Sequence, residues 1–445
     1  MNKLLIKNAT IINEGKRALK DVYIENEYIN KIASSIDLDH KVKTINAEGL
    51  ILIPGMIDDQ VHFREPGLTH KGDISTESMA AIAGGVTSYI EMPNTLPNTT
   101  TKDEFDEKIK IATNNSFANF SFMFGGTNEN IDEIKKIDIK EVAGIKLFLG
   151  SSTGKMLIDD KNSIREIFNS TKLPISAHCE DEKIIQKNTE YYINIYGEEI
   201  PMEFHPKIRD EEACFLSSKY AVELAIETGA RLNVFHISTA KELNLFDNNI
   251  NVKNKTITAE VCAHHLWFTD DDYERFGSRI KWNPAIKSLN DKNNLWQAIK
   301  DDRIDIIASD HAPHTLIEKN NKYLQCPSGG PMIQHTILSL FEKCEDYGVT
   351  IEKIIEKIAH NPAIIFEIEK RGFIREGYYA DIVLIDSNSQ TKVSKDSLLY
   401  KCGWSPFEGQ NFRHTINRTI INGRIAYENG KVNPVRNAMK LTFNR

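Results

Sequence analysis

Near both ends of the chain, apolar and polar positions alternate with the two-residue period of β-strands. We predict strands over residues 4–12, 21–32, 42–53 and 380–385. Near the C-terminus, residues 418–421 and 424–427 flank Asn422 and Gly423, a dipeptide that favours a tight β-hairpin turn. Strand-rich ends around a different middle predict one small β domain built from both termini.

The middle of the chain alternates short apolar runs with helical patterns. Eight runs predict strands, at residues 57–62, 86–92, 119–124, 144–149, 174–179, 232–237, 257–264 and 304–309. The clearest helix covers residues 211–229, with a predicted apolar stripe of Phe215, Leu216, Tyr220 and Leu224. Eight strands alternating with helices predict an α/β fold, a (β/α)₈ barrel. We place the barrel in residues 54–374 and the β domain in residues 1–53 and 375–445.

Composition narrows the class of protein. The chain has 445 residues, of which 40% are hydrophobic and 27% charged, as in ordinary globular proteins, and no apolar stretch is long enough to span a bilayer. A net charge of −8 without a long basic run argues against nucleic acid or an anionic membrane as a partner. Six cysteines without a C-x-x-C pair predict reduced thiols in the cytoplasm rather than disulfides or a thiolate zinc site.

Side chains capable of chemistry recur where the predicted barrel strands end. In an extended strand, Asp58, Gln60, His62 and Arg64 share one face. The ends of later strands carry Asn94, Lys146, His178, His236, His264, His265, Asp310 and His314. A lone histidine on a strand is more often a structural group than a ligand, but ligand-capable groups at five strand ends are hard to assign to chance. Because barrel active sites lie where the strands end, we predict one site.

Three imidazoles and one carboxylate from this set fit zinc or a similar divalent ion. Zinc generates hydroxide near neutral pH and polarises a carbonyl, as hydrolysis of an amide requires. Lys146 is unusual there, because a metal repels an ammonium. If its pKa is depressed, the neutral amine can react with CO₂ to give a carbamate that bridges two ions; an ion pair with a neighbouring carboxylate is the alternative. Asp310 would both bind metal and shuttle a proton.

The planar guanidinium of Arg64 can donate two parallel hydrogen bonds to a substrate carboxylate, and Asn94 and His314 would provide further contacts to it. A salt bridge at the rim is the alternative for Arg64. For Asn94, which follows Pro93, the alternative is turn formation. We favour the functional interpretation because these residues lie beside the predicted metal ligands.

The motifs resemble those of the dihydroorotase family of the amidohydrolase superfamily over nearly the whole chain. The segments are PGMIDDQVHFREPG (54–67), EMPNT (91–95), GIKLFLG (144–150), SAHCED (176–181), FHISTA (235–240), EVCAHHLWFT (260–269), NPAIKS (283–288), SDHAPH (309–314), NPA (361–363), GYYADIVLID (377–386) and KCGWSPFEG (401–409). The resemblance implies a metal-dependent TIM-type barrel with a small β-sandwich from both termini. It also implies interconversion of N-carbamoyl-L-aspartate and L-dihydroorotate in pyrimidine biosynthesis.

The resemblance further implies one or two zinc ions per chain and roles for individual residues. The implied metal ligands are His62, Lys146 as its CO₂-derived carbamate, His178, His236 and Asp310. The implied substrate contacts are Arg64, Asn94, Asn283 and His314, and residues 150–155 lie where some members carry a loop that closes over substrate. A homodimer and an association with aspartate transcarbamoylase are the partners that the resemblance suggests.

One position departs from the family pattern. The first barrel strand of the family usually carries D-x-H-x-H-x-R, and here Gln60 replaces the first histidine. An amide oxygen is a weaker zinc ligand than imidazole, so Gln60 is a doubtful ligand and the number of bound ions is open. A catalytically silent assembly partner is therefore one alternative. Another is an allantoinase or hydantoinase, although those relatives generally lack an arginine at the position of Arg64.

Overall fold

The computed structural model of the protein describes residues 2–38, 41–150 and 156–445. Its strands are β1 (Lys3–Asn13), β2 (Lys16–Glu25), β3 (Tyr28–Ala33), β4 (Lys43–Asn46), β5 (Leu50–Pro54), β6 (Met56–Val61), β7 (Val86–Glu91), β8 (Asn119–Gly125), β9 (Gly144–Phe148), β10 (Ile175–His178), β11 (Leu232–Val234), β12 (Ile257–Cys262), β13 (Ile306–Ala308), β14 (Ile382–Asp386), β15 (Thr391–Lys392), β16 (Asn411–Phe412), β17 (Thr415–Ile421), β18 (Arg424–Glu428) and β19 (Lys431–Val432). Its α-helices are α1 (Ile74–Ala83), α2 (Lys102–Asn115), α3 (Ile131–Ile134), α4 (Lys161–Ser170), α5 (Glu182–Tyr196), α6 (His205–Ile208), α7 (Glu211–Thr228), α8 (Ala263–Trp267), α9 (Tyr273–Phe276), α10 (Leu289–Lys300), α11 (Leu316–Lys319), α12 (Thr336–Lys343), α13 (Ile351–Ile355) and α14 (Asn361–Ile365). Among the described residues, no helix is both long enough and apolar enough to cross a membrane.

Strands β6 to β13 form an eight-stranded parallel sheet in sequential order, with helices along the connections. Strands β6 to β8 are buried at every residue, as expected for a parallel sheet covered on both faces. The sheet closes on itself just beyond β13, where Val61 and His311 form a parallel bridge. The backbone amide of His62 donates to the His311 carbonyl oxygen over 2.7 Å. The prediction of a (β/α)₈ barrel is confirmed.

Helix α7 shows both a success and an error of the sequence prediction. It begins after Asp210, whose side chain accepts from a backbone amide, and it ends at Gly229, which has the left-handed φ of 69°. The predicted stripe is wrong at Leu216, which is 40% exposed. The buried face of the helix consists largely of small residues, such as Ala213 and Ala221, because close packing leaves no room for larger ones.

The second large sheet joins the two ends of the chain. Its order is β19-β18-β17-β14-β5-β1-β2-β3, with β4 beside β1. Strand β5 lies between β1, to which it is parallel, and β14, to which it is antiparallel. A β domain built from both termini is therefore present, and the predicted domain boundaries stay a prediction.

Several predicted strands have different bounds in the structure; β11, for example, ends at Val234 and not at residue 237, so His236 lies beyond the strand. The run over residues 21–32 contains a turn, with Asn26 at a φ of 56°, and becomes the end of β2 plus most of β3. The run over residues 42–53 likewise divides into β4 and β5. His264 was assigned to a strand, but β12 ends at Cys262, the last residue that pairs with β13, and the chain then turns into α8.

We expect Gly423→Ala to destabilise the protein more than Gly430→Ala. Both glycines have a left-handed φ, 75° and 84°, so each substitution should cost about 1 kcal/mol in backbone strain. A Cβ at Gly423 would also overlap the Asn26 carbonyl oxygen, whereas a Cβ at Gly430 would meet open space. Thermal unfolding should give a clearly lower midpoint for Gly423→Ala, and equal midpoints would contradict this account of the turn.

Candidate active site

A cavity of about 360 Å³ opens at the end of the barrel where the strands terminate. Ten candidate residues from the sequence line it: Gln60, His62, Arg64, Asn94, Lys146, His178, His236, Asn283, Asp310 and His314. The structure thus brings them together, and their individual roles stay a prediction. Asp58, His264 and His265, which the sequence also placed at strand ends, are not among its lining residues. Residues 151–155 of the predicted closing loop lie outside the described residues.

Three residues at this end of the barrel have a left-handed backbone. The φ angles of Arg64, His236 and Asp310 are 71°, 43° and 44°. Each residue comes two or three positions after the end of its strand, β6, β11 or β13. Side-chain-bearing residues in this region cost about 1–3 kcal/mol and persist only where their surroundings hold them, most often at functional sites. The strain therefore marks the same strand ends as the sequence motifs.

His62 lies between an amide and a carboxylate. Its Nδ1 is 2.8 Å from Asn94 Oδ1, and its Nε2 is 3.2 Å from Asp310 Oδ1. Because the amide oxygen accepts a hydrogen bond, Nδ1 carries the proton and Nε2 turns a lone pair towards the carboxylate. Burial lowers the pKa of His62, which favours this neutral form. A lone pair and a carboxylate oxygen at this distance need a cation between them, so the pair suits a metal ion.

His178 and His236 form a second pair of this kind. His178 Nε2 lies 2.8 Å from Glu180 Oε2, and its Nδ1 lies 2.9 Å from His236 Nε2. Burial alone would raise the pKa of Glu180, but Arg209 and His178 together lower it to about 2. The ionised Glu180 beside Nε2 favours the ring proton on that nitrogen and leaves Nδ1 as a lone pair, an arrangement common behind metal-binding histidines. Burial also lowers the pKa of both imidazoles and keeps them in the ligand form.

Lys146 lies on β9 near these histidines, and its Nζ is buried without a hydrogen-bond partner among the described residues. The nitrogen is 4.1 Å from the ring centroid of Phe235 and 4.8 Å from that of Phe148. Burial lowers the pKa of Lys146 to about 8, although nearby carboxylates oppose the shift. An amine with this pKa has a reactive neutral form, and its buried nitrogen lacks a partner. Imidazole nitrogens, a carboxylate and this amine fit the predicted zinc site.

Sequence reasoning missed two buried carboxyl groups in the barrel beside this pocket. Asp59 and Glu260 are fully buried close to each other, and burial raises the pKa of both, that of Asp59 to about 6. Regular alternation turns Asp59 away from Gln60, but β6 has a register irregularity between Asp58 and Val61 that such alternation does not anticipate. Glu260 was detectable, because it precedes Cys262 by two residues on β12 and shares its face.

Arg64 is a buried cation with no carboxylate in ion-pairing distance among the described residues. Its Nε donates to the Pro313 carbonyl oxygen over 3.1 Å, and its Nη2 lies 3.1 Å from His314 Nε2. His314 Nδ1 in turn lies 3.1 Å from Lys71 Nζ. Burial lowers the pKa of His314 far below its usual value, so the ring is neutral and accepts through only one nitrogen. Donors outnumber acceptors here, and a carboxylate ligand would restore the balance.

A buried lysine holds the loop beside His314. Lys319 Nζ donates to the carbonyl oxygens of Pro327 and Gly329, each over 2.9 Å. Between them, the Ser328 carbonyl oxygen lies 3.1 Å from His314 Nε2. The same nitrogen donates to the Lys281 carbonyl oxygen over 3.3 Å, and burial lowers the pKa of Lys319 to about 7. Lys319 therefore positions the loop that positions His314, and none of the sequence motifs described above includes it.

We expect Lys319→Met to loosen this loop, because the carbonyl oxygens of Pro327 and Gly329 would lose their donor, and each hydrogen bond is worth about 0.5–1.5 kcal/mol. Amide hydrogen exchange in residues 322–330 should become faster. Lys322→Met is the matched control, since that side chain lies in the same loop, is 50% exposed and pairs only with surface carboxylates in the structure. Unchanged exchange in Lys319→Met would contradict the positioning role.

Several known proteins are similar to this chain. A dihydroorotase of Methanosphaera stadtmanae is 31% identical and aligns over 97% of this chain and 98% of its own length. An allantoinase of Desulfitobacterium hafniense is 30% identical over 96% of each chain. The L-hydantoinase of Arthrobacter aurescens superposes with a TM-score of 0.94 at 25% identity, over 99% of this chain and 100% of its own. Further relatives of comparable identity are mostly named dihydroorotase.

The fold and the cavity define a (β/α)₈-barrel enzyme whose candidate active site lies where the barrel strands end. The model of the amidohydrolase family matches residues 51–426, which include the whole barrel. The chain belongs to the amidohydrolase family. Members of this family generally use a metal ion, which agrees with the paired lone-pair donors in the cavity.

Proposed function

We propose that the chain is a dihydroorotase, which interconverts N-carbamoyl-L-aspartate and L-dihydroorotate in de novo pyrimidine (UMP) biosynthesis. The observation that carries the proposal is Arg64, a buried guanidinium beside the metal pocket that lacks a carboxylate partner among the described residues. An uncompensated buried charge is costly, and the substrate carboxylate would compensate it with two parallel hydrogen bonds. The many relatives named dihydroorotase support the same function. The direct test is cyclisation of N-carbamoyl-L-aspartate by the purified protein.

In this proposal His62, Asp310 and, more weakly, Gln60 hold one zinc ion, and His178 and His236 hold a second. A carbamate on Lys146 would bridge the two positions. Bound zinc would polarise the amide carbonyl and acidify water, which is the Lewis-acid chemistry that opening a cyclic amide requires. The lone pairs of His62 Nε2 and His178 Nδ1 and the unpartnered lysine nitrogen support these assignments.

The chain's own residues would bind the substrate and move the proton. Asn94, Asn283 and His314 would help Arg64 to orient the carboxylate, since all four line one cavity. In the ring-opening direction Asp310 would take a proton from the attacking water and deliver it to the ring nitrogen as the cyclic C–N bond breaks. Ring closure reverses these transfers and releases water.

The alternatives differ in testable ways. An allantoinase or hydantoinase has a named relative or structural neighbour here, but its substrate would leave Arg64 without a carboxylate. A silent assembly partner of aspartate transcarbamoylase would bind that enzyme without cyclising N-carbamoyl-L-aspartate. We also propose a cytoplasmic location, which six unpaired thiols support, and a homodimer as the assembly to look for.

We expect Arg64→Lys to weaken recognition of dihydroorotate by about 2–5 kcal/mol in kcat/KM, because lysine cannot reproduce the planar fork. A simple hydantoin that lacks the carboxylate serves as the control substrate and should be affected far less. Equal losses on both substrates would refute the assignment of Arg64 to the carboxylate.

We expect Lys146→Ala to lose both bound metal and activity, because the bridging carbamate would be missing. Short carboxylic acids should restore part of the activity by occupying the same place. His178→Ala is the matched control: it should also lose metal and activity, but without rescue by carboxylic acids. A fully active Lys146→Ala protein would exclude the carbamate.

We expect Gln60→His to strengthen the weaker of the two proposed zinc positions, since zinc prefers imidazole nitrogen to an amide oxygen. Stripped parent and variant would be compared at limiting zinc, with bound metal counted after removal of free ions. The variant should retain more zinc per chain than the parent. Identical retention at full activity in both would rule out a metal position next to Gln60.

A further inference from the structure

The pair His264 and His265 has no role in the proposed function, yet it meets a thiol. Donor atoms of Cys262, His264 and His265 lie within 4.8 Å of one another at the junction of β12 and α8. All three residues are buried. A sulfur and two imidazoles are the donors that zinc and other soft or borderline ions prefer.

The hydrogen bonding of His265 leaves its Nδ1 free to bind a ligand. Its Nε2 lies 3.1 Å from the Pro284 carbonyl oxygen, so Nε2 carries the proton and donates. Nδ1 then has a lone pair, and it is buried without a partner among the described residues. A backbone carbonyl that fixes the tautomer in this way is the usual support behind a metal-binding histidine. Burial lowers the pKa of His265 to about 4, which agrees with a neutral ring.

The imidazole of His264 also has ring nitrogens that could bind a ligand. Both of its ring nitrogens are buried without a hydrogen-bond partner among the described residues. Its ring stacks on the indole of Trp282, with centroids 4.4 Å apart and planes 8° from parallel, which holds the imidazole in place. Buried polar atoms are nearly always satisfied, so these adjacent ring nitrogens offer a place for a ligand.

The thiol of Cys262 lies next to Gln60, the residue that stands where the family usually has a histidine. Its sulfur lies 3.5 Å from Gln60 Oε1 and 3.8 Å from Glu260 Oε1. The Gln60 oxygen accepts from the thiol, so the cluster adjoins the candidate active site at this residue.

We propose that Cys262, His264 and His265 form a second metal site, distinct from the candidate active site and suited to zinc or a similar thiophilic divalent ion. On binding, the Cys262 S–H bond breaks, the sulfur forms a bond to the metal and the proton leaves to solvent, without any change of oxidation state. The ion would tie β12 to α8. The absence of a C-x-x-C pair argued against a thiolate site, but a C-x-H-H spacing across a strand–helix junction supplies one.

Cobalt gives this site a signal that the active site lacks. The proposed active-site ligands provide nitrogen and oxygen but no thiolate, so a near-ultraviolet thiolate-to-cobalt charge-transfer band reports only on Cys262. The full-length protein would be stripped of metal and titrated with Co²⁺. The band should rise to saturation with one thiolate-bound cobalt per chain. It should be absent from Cys262→Ala and unchanged in Cys344→Ala, which removes another fully buried thiol.

Two further variants make the test decisive. His265→Gln should shift or abolish the band in a protein that keeps its thiol, which covers the case in which Cys262→Ala does not fold. His62→Ala should retain the band while losing the active-site metal next to Gln60. Loss of the band in His62→Ala would mean that the sulfur belongs to the active-site ion and would overturn the proposal, as would a wild-type protein without the band at saturating cobalt. None of these readouts depends on dihydroorotase activity, so the two proposals fail independently.

Discussion

The pairing of β6 with the segment after β13 closes the barrel and decides where the chemistry lies. Val61 bridges His311, the His62 amide donates to the His311 carbonyl, and the Ser309 amide donates to the Asp58 carboxylate over 3.0 Å. His311 itself is anchored through Nε2, 2.8 Å from Glu77 on α1. The imidazole of His62 and the carboxylate of Asp310 come from the first and last strands of the barrel. They face each other only because β6 pairs with the segment after β13. Folding of the barrel and assembly of the site therefore depend on the same few hydrogen bonds.

Much of the architecture could be predicted because its signals are local. Buried parallel strands require short continuous apolar runs, and each of the eight runs became a barrel strand with bounds shifted by at most a few residues. The turn at Asn422 and Gly423 and the end of helix α7 at Gly229 could also be predicted, because a left-handed φ strongly favours glycine or asparagine. The ten predicted site residues meet in one cavity because parallel strands end at one edge of the barrel.

What could not be predicted depends on departures from regular geometry or on distant contacts. The irregularity in β6 lets Asp59 reach Glu260, and alternation along an ideal strand hides it. The strained backbones at Arg64, His236 and Asp310 have no sequence signal, because these residues avoid that conformation when unconstrained. Lys319 acts through backbone carbonyls of a loop, which any sequence supplies. Gln60 was visible as an anomaly, but its contact with Cys262 appears only in three dimensions.

The position of β5 between β1 and β14 has a consequence for synthesis of the protein. A ribosome completes β1 and β5 early, yet β14, which covers the other edge of β5, emerges only after the entire barrel. Until then, the open edge and the apolar side chains Leu52 and Ile53, both fully buried in the finished protein, face solvent. Unpaired strand edges with apolar side chains are prone to aggregate. The nascent chain therefore exposes an aggregation-prone edge on β5 until β14 has been synthesised.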